Sequence, residues 1–140
     1  VVVNDHLYKV ISEHSSRLGT FAMGMTYSGH PAACAAALAC INIYNQPGFL
    51  ESIKQKGDYL NRLLLAHPAI AKMTNVRSIG LLSALTVPPE YGTSAKDLAL
   101  AALKNGLIIR NVAENIVFCP PYIMDHESIA EMVERFGSLL

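Results

Sequence analysis

The sequence predicts an α/β chain whose second half is a smaller α+β unit. It opens on three valines, Val1 to Val3, which are typical of a fully buried strand in a parallel sheet. Helical spacing of apolar residues then dominates as far as about residue 65, and short β-branched segments alternate with two capped helices further on. We therefore predict two domains, residues 1–66 and residues 67–140.

Three helices are predicted in the first domain. Asn4 or Asp5 can cap the first, and the alanine content favours the second, which starts at a proline whose missing N–H costs nothing there. The predicted limits are Asp5 to about Glu13, Pro31 to about Tyr44, and about Phe49 to Leu65.

The second domain alternates strands with helices. Residues 76–87, VRSIGLLSALTV, predict a strand or a strand pair. Two short strands, LIIR at 107–110 and NIVF at 115–118, are predicted around a polar turn at 111–115.

Each of the two helices in this domain has an N-cap. Thr93 or Ser94 caps a helix that stops at Asn105 and Gly106, and Asp125 caps the last helix. The last helix carries an apolar stripe of Ile129, Met132, Val133 and Phe136.

Charge and hydropathy exclude several classes of partner. Eleven basic residues balance eleven acidic ones, so neither nucleic acid nor an anionic membrane is expected. The longest apolar run, Ala32 to Ile41, is too short to span a bilayer. Cys34, Cys40 and Cys119 form no CxxC pair, and reduced thiols in the cytoplasm fit them best. The five histidines have no metal-binding spacing, so no metal site is predicted.

The stretch GMTYSGHP, residues 24–31, places small and hydroxyl residues just before the alanine-rich helix. Glycines allow close backbone approach, Thr26 and Ser28 add hydroxyl donors, and a helix N-terminus attracts anions, so the stretch can bind a phosphate. The alternative is that Ser28 or His30 merely caps the helix while the glycines make a tight turn.

Three segments in order resemble class III pyridoxal-phosphate-dependent aminotransferases, the ω-aminotransferase group. GMTYSGHPAACAAALA is similar to that family's TYSGHP loop and helix, VRSIGLLSALTV to its VR-G-GL strand, and GLIIR…NIVFCPPYIMDHESIAEMV to its C-terminal R…PP segment and closing helix. The resemblance covers essentially the whole chain. It implies the C-terminal part of a fold-type I transferase, namely the end of the large cofactor-binding domain, connecting helices, and the small α+β domain.

The resemblance implies roles for four residues. Thr26, with Gly24 and Met25 beside it, matches the loop that binds the phosphate of pyridoxal 5′-phosphate in the partner subunit's active site, which implies a homodimer. Arg110 matches the arginine that pairs with a substrate carboxylate. The implied reaction moves an amino group from an amine or ω-amino acid to a keto acid such as pyruvate.

The family's Schiff-base lysine is expected upstream of Val1, because VVVND resembles the strand that follows it. No catalytic residue is therefore assigned within the chain, and we expect the chain alone to be inactive. Its lysines have charged or polar neighbours and are predicted to be solvated: Lys9, Lys54, Lys56, Lys72, Lys96 and Lys104.

The chain departs from the family pattern at three positions. Met23 stands where many relatives have histidine, Ser78 where they have glycine, and Tyr122 where leucine is common. Other functions remain open. A related aminomutase or decarboxylase would share this segment, and the chain could also be a non-catalytic fragment or assembly module.

Overall fold

The computed structural model describes residues 2–21 and 24–140. Within these ranges the helices are α1 (Asp5–Leu18), α2 (Pro31–Tyr44), α3 (Phe49–Ala66), α4 (Ala95–Lys104) and α5 (His126–Gly137), and the strands are β1 (Thr74–Ile79), β2 (Leu82–Thr86), β3 (Arg110–Val112) and β4 (Asn115–Phe118). The chain divides into two units, Val1–Asn42 and Ile43–Leu140. The predicted domain boundary after residue 66 concerns the full-length protein and stays a prediction.

The chain enters α1 without a preceding strand. Val2 is 98% exposed and Val3 43% exposed, and neither belongs to a strand, so the predicted buried strand is wrong over these two residues; Val1 lies outside the described residues. A buried parallel strand needs hydrogen-bonded neighbours. The sheet in the described part of the chain is antiparallel and is built only from residues 74–118.

Helix α1 begins as predicted and is longer than predicted. The Asn4 side chain accepts a hydrogen bond from the Leu7 N–H at 2.9 Å, which satisfies one free donor of the first turn. The helix passes the predicted end at Glu13 and stops at Gly19, whose φ of 73° is the left-handed conformation that favours glycine. Most residues after Ile11 are polar, so the spacing of apolar residues does not indicate the last turns of the helix.

The predicted limits of α2 and α3 are confirmed, α2 to the residue and α3 to within one residue. Gly48 separates them with a φ of 80°. No residue of α2 is buried, whereas Leu60 and Leu64 of α3 are fully buried.

The sheet of the second unit has the strand order β1-β2-β4-β3. β1 and β2 form a hairpin, so of the two predictions for residues 76–87, a strand or a strand pair, the pair is confirmed. One face of the sheet packs against α3, α4 and α5 in one core that includes Leu85, Ile116, Phe118, Leu98, Ala102 and the whole predicted stripe of α5. The rings of Phe118 and Phe136 meet edge to face, 5.2 Å apart.

Helix α3 crosses the β1–β2 turn at a pair of glycines. A Cβ on Gly57 would lie 2.8 Å from the Cα of Gly80 and closer still to the Gly80 carbonyl. Gly80 itself has a φ of 53°. The absence of a side chain at Gly57 is therefore what lets the helix lie directly on the hairpin turn.

The strand predicted at 107–110 is displaced toward the C-terminus. Leu107 N–H donates to Ala102 O at 2.9 Å, and Gly106 N–H donates to Leu103 O at 3.1 Å. The N–H of Leu107 is therefore bonded to the end of α4 and is not available to pair with a neighbouring strand. The strand starts instead at Arg110, and Ala113 at a φ of 49° turns the chain into β4.

Of the two predicted N-caps of α4, Thr93 and Ser94, the structure shows Ser94, and the predicted N-cap of α5 is confirmed. Ser94 accepts from the Asp97 N–H, and Asp125 accepts from the Ser128 N–H at 2.8 Å. The bond from the Ser128 N–H is the main cause that lowers the pKa of the Asp125 carboxyl below its usual value.

Candidate functional site

The predicted phosphate-binding residues lie in one exposed loop before α2. A turn closes where the Ser28 N–H donates to Met25 O at 2.9 Å, and a second where the His30 N–H donates to Tyr27 O at 3.2 Å. Gly29 occupies the second turn with a φ of 70°. Met23, where the family pattern has histidine, lies outside the described residues.

Thr26 presents two free donors at the first turn. In residues 2–21 and 24–140, neither its hydroxyl nor its backbone N–H makes a hydrogen bond, and the residue is exposed. A Cβ added to Gly24 would meet no atom within 4 Å. A hydroxyl and an N–H beside an open glycine are the donors that a phosphate accepts from, so this donor set fits the phosphate of pyridoxal phosphate.

His30 acts as the cap of α2, which was the alternative to a phosphate site at the helix terminus. Its Nδ1 accepts from the Ala33 N–H at 3.3 Å, and its ring meets the edge of Tyr27 at 5.8 Å between centroids. One donor of the first helical turn is thereby used within the chain. Any anion bound here would therefore depend more on the turn at Thr26 than on the helix terminus.

Arg110 begins the edge strand β3. It lies opposite Val117, which lies opposite Ala84, which lies opposite Arg77, so the four form one row across the sheet. This row is on the face away from the core, because the neighbouring residues Leu85 and Ile116 are buried. Arg110 is exposed and has no side-chain hydrogen bond or ion pair in the part of the chain that the structure describes. Arg110 and Thr26 lie in different units.

The β3–β4 hairpin is held by Asn115, which lies where the predicted turn meets the predicted strand and had no predicted contact with the rest of the sheet. Asn115 Oδ1 accepts from Arg77 Nη2 at 3.1 Å and from Thr86 Oγ1 at 2.8 Å, while its Nδ2 donates to Val112 O at 3.1 Å. Asn115 thus ties the strand of Arg110 to β1 and β2. Arg77 and Asn115 are 38 positions apart, and no local pattern indicates that they meet.

None of the six lysines is buried. Lys56 is half-buried and its Nζ donates to the carbonyl of Tyr122 at 2.8 Å, and the other five are exposed. Among the described residues there is no cluster of three or more metal-ligating side chains, and no helix in those ranges has the length and apolarity needed to cross a membrane.

The family model "Aminotransferase class-III" matches residues 1–140. Among curated proteins, the chain is 32% identical over 150 residues to gamma aminobutyrate transaminase 3, chloroplastic, of Solanum lycopersicum, covering 100% of this chain and 29% of that protein. It is 29% identical to gamma-aminobutyrate transaminase 1, mitochondrial, of Oryza sativa subsp. japonica, with the same coverage.

Solved structures give the same result. A thermostable omega transaminase six-fold mutant from Pseudomonas jessenii matches with a TM-score of 0.81 at 29% identity, over 98% of this chain and 32% of that one. The omega transaminase from Pseudomonas jessenii in complex with PMP matches with the same TM-score, identity and coverage. The chain therefore spans about a third of the length of the proteins it matches.

Proposed function

The chain belongs to the class-III aminotransferase family, and we propose that the full-length protein carrying it transfers an amino group from an amine or ω-amino acid to a keto acid such as pyruvate. The similar curated proteins are gamma-aminobutyrate transaminases, and the similar structures are omega transaminases. In γ-aminobutyrate the amino group is remote from the carboxylate. The names of these relatives support an amino donor whose amino group is on a carbon other than the α carbon.

We propose pyridoxal 5′-phosphate as the cofactor, with its phosphate held by Thr26 beside Gly24 and Met25 in the active site of a partner subunit. When bound, the cofactor supplies the electron sink for the reaction. The exposed loop, its free donors and the PMP complex of a similar structure support this assignment. Because the Thr26 loop would bind the cofactor phosphate of the partner subunit, a homodimer is part of the proposal.

The free guanidinium of Arg110 is the observation that carries the substrate assignment. It extends from an edge strand without a partner in the described chain, and a guanidinium fork matches a carboxylate with two parallel hydrogen bonds. We assign it to bind and orient the carboxylate of the keto acid. Acceptors that carry no carboxylate do not need this contact.

The test compares acceptors in the full-length holoenzyme. Arg110→Ala should lower kcat/KM for pyruvate by about ten- to a hundredfold, the value of a lost charge-assisted hydrogen bond, and leave a carboxylate-free aldehyde nearly unchanged. Arg110→Lys, which keeps the charge and loses the fork, should fall between the two proteins. Equal losses for both acceptors would remove the assignment.

We also propose that this 140-residue segment has no turnover of its own, since its lysines are exposed or, for Lys56, bound to a main-chain carbonyl. A reducing compartment such as the cytoplasm is supported by Cys34, Cys40 and Cys119, which are all exposed and free.

A further inference from the structure

The segment that leads from α4 to Arg110 is weakly held by its own main chain. Leu107 N–H bonds back to α4, and Ile108 and Ile109 belong to no strand. Ile108 is 85% exposed. Gly106–Ile109 also form one wall of an open groove of about 470 Å³, whose other walls come from the end of β4 and from α5. Leu107 is buried in the core and Ile109 packs against it, but few main-chain hydrogen bonds fix the backbone that carries Arg110.

Arg135, near the end of α5, connects to the start of this segment. Its Nη1 donates to the carbonyl of Asn105 at 3.2 Å. The same nitrogen lies 3.4 Å from the point where a Cβ on Gly106 would stand. The carbonyl of Asn105 is at the negative end of α4, so a cation there is favourable.

Glu131 fixes the orientation of that guanidinium. It lies one turn earlier on α5; its Oε1 accepts a hydrogen bond from Nε of Arg135 at 2.8 Å and forms an ion pair with Nη2 at 2.7 Å. Because the guanidinium is planar and rigid, two of its nitrogens held against one carboxylate oxygen set the direction of the third. The pair thus couples α5, whose inner face is buried in the core, to the connection between α4 and β3.

We propose that Arg135 is a positioning residue for Arg110, which it reaches through Asn105 and the segment 106–109; the proposal rests on the carboxylate role of Arg110. Arg135 does not touch substrate. It restricts the range of positions of the β3 backbone, so that the Arg110 fork meets the keto-acid carboxylate at less entropic cost.

The experiment uses the full-length holoenzyme and two acceptors, pyruvate and a carboxylate-free aldehyde. Arg135→Ala should raise KM for pyruvate about two- to fivefold, the range for a lost surface ion pair, with kcat and the aldehyde KM unchanged. Arg135→Lys should give a smaller rise, because lysine keeps a donor and loses the fork. Arg62→Ala, which removes an exposed arginine from α3, is the matched control and should change neither KM.

A double variant separates positioning from a general loss of stability. If Arg135 acts through Arg110, Arg135→Ala adds no further pyruvate defect in the Arg110→Ala background. An unchanged pyruvate KM, equal rises for both acceptors, or an added defect in the double variant would each overturn the proposal. Should Arg135→Ala fail to fold, a selective rise in Arg135→Lys supports the proposal and its absence overturns it.

The controls also show which proposal has failed. If Arg110→Ala impairs pyruvate selectively and the Arg135 variants do not, only the positioning role is wrong. If Arg110→Ala itself spares pyruvate, the substrate assignment is wrong and the positioning role is overturned with it.

Discussion

Thr26 is the residue on which the cofactor proposal depends. Its hydroxyl and N–H have no hydrogen-bond partner within the described chain, so removing the hydroxyl breaks no internal hydrogen bond. Thr26→Ala in the full-length protein should therefore weaken pyridoxal phosphate binding without lowering the free energy of unfolding of the apoprotein. A hydrogen bond to a charged phosphate is worth about 1.5–3 kcal/mol, which is about ten- to a hundredfold in Kd.

The measurement is the Kd of pyridoxal phosphate by absorbance titration, with thermal unfolding of the apoprotein in parallel. Thr26→Ser keeps the hydroxyl and should bind nearly as well as the unchanged protein. Ser28→Ala removes the other hydroxyl predicted as a phosphate donor in this loop, and it shows whether the loss of affinity is specific to Thr26. A Kd for Thr26→Ala equal to that of the unchanged protein would contradict the phosphate role.

Ser78, which replaces the glycine of the family pattern, has a structural explanation. Its Oγ donates to Asn61 Oδ1 at 3.0 Å and lies 2.9 Å from the Oγ of Ser83. Since the single hydroxyl hydrogen of Ser78 goes to Asn61, Ser83 is the donor in the second bond. Ser83 is only 1% exposed, so Ser78 satisfies a hydroxyl that would otherwise be buried without a partner.

At the scale of elements, the contact of α3 with the β1–β2 turn makes a sharp prediction. Gly57→Ala would place a methyl group against the backbone of Gly80, and backbone cannot move aside as a side chain can. Alanine raises helix stability by about 1 kcal/mol over glycine where space allows. Here we expect a net loss of about 1–3 kcal/mol in the free energy of unfolding, typical of an overpacked contact.

Chemical denaturation of the full-length protein measures this loss. In the apoprotein, where no cofactor contributes to stability, Gly24→Ala is the control, because an added Cβ there meets no atom of this chain within 4 Å, and it should leave the free energy of unfolding nearly unchanged. Equal stability of Gly57→Ala and the unchanged protein would show that helix and hairpin can separate at this crossing.

The elements that sequence reasoning located best are those marked by local chemistry. Ser94 and Asp125 cap α4 and α5 as predicted, since a cap depends on residues within one turn. The start of β3 could not be found this way, because the C-terminal bonds of α4 compete for the N–H of Leu107. Tyr122 likewise packs edge to face against the stacked rings of Tyr44 and Phe49, each 6.2 Å away, a contact that no short segment encodes.

At the scale of the whole molecule, hydrophobic periodicity predicts the core of the second unit, but it predicts neither the exposure of α1 nor the contacts that depend on the sheet register. The core of the second unit follows from hydrophobic periodicity, because the partners of Ile129 and Phe136 lie in the same chain. The helical spacing of apolar residues in the first domain does not bury α1, since Leu7 and Val10 are 47% and 50% exposed. The pairing of Arg77 with Asn115 depends on the sheet register, so the sequence alone does not indicate what holds β3.

The proposed inactivity of this segment can be tested by mass. Mixed with pyridoxal phosphate and reduced with borohydride, the 15.2 kDa chain should show only scattered, substoichiometric adducts, because exposed lysines keep their ordinary reactivity and none is held against a cofactor. The full-length protein, treated in the same way, should carry one stoichiometric adduct on one lysine. Prior treatment with a primary amine donor should convert the cofactor and abolish that adduct in the full-length protein, while the scattered adducts of the segment persist. A single stoichiometric adduct on any of the six lysines of the segment, confirmed by peptide mapping, would show that this chain contains a reactive lysine of its own, and the assignment of catalysis to residues outside it would be wrong.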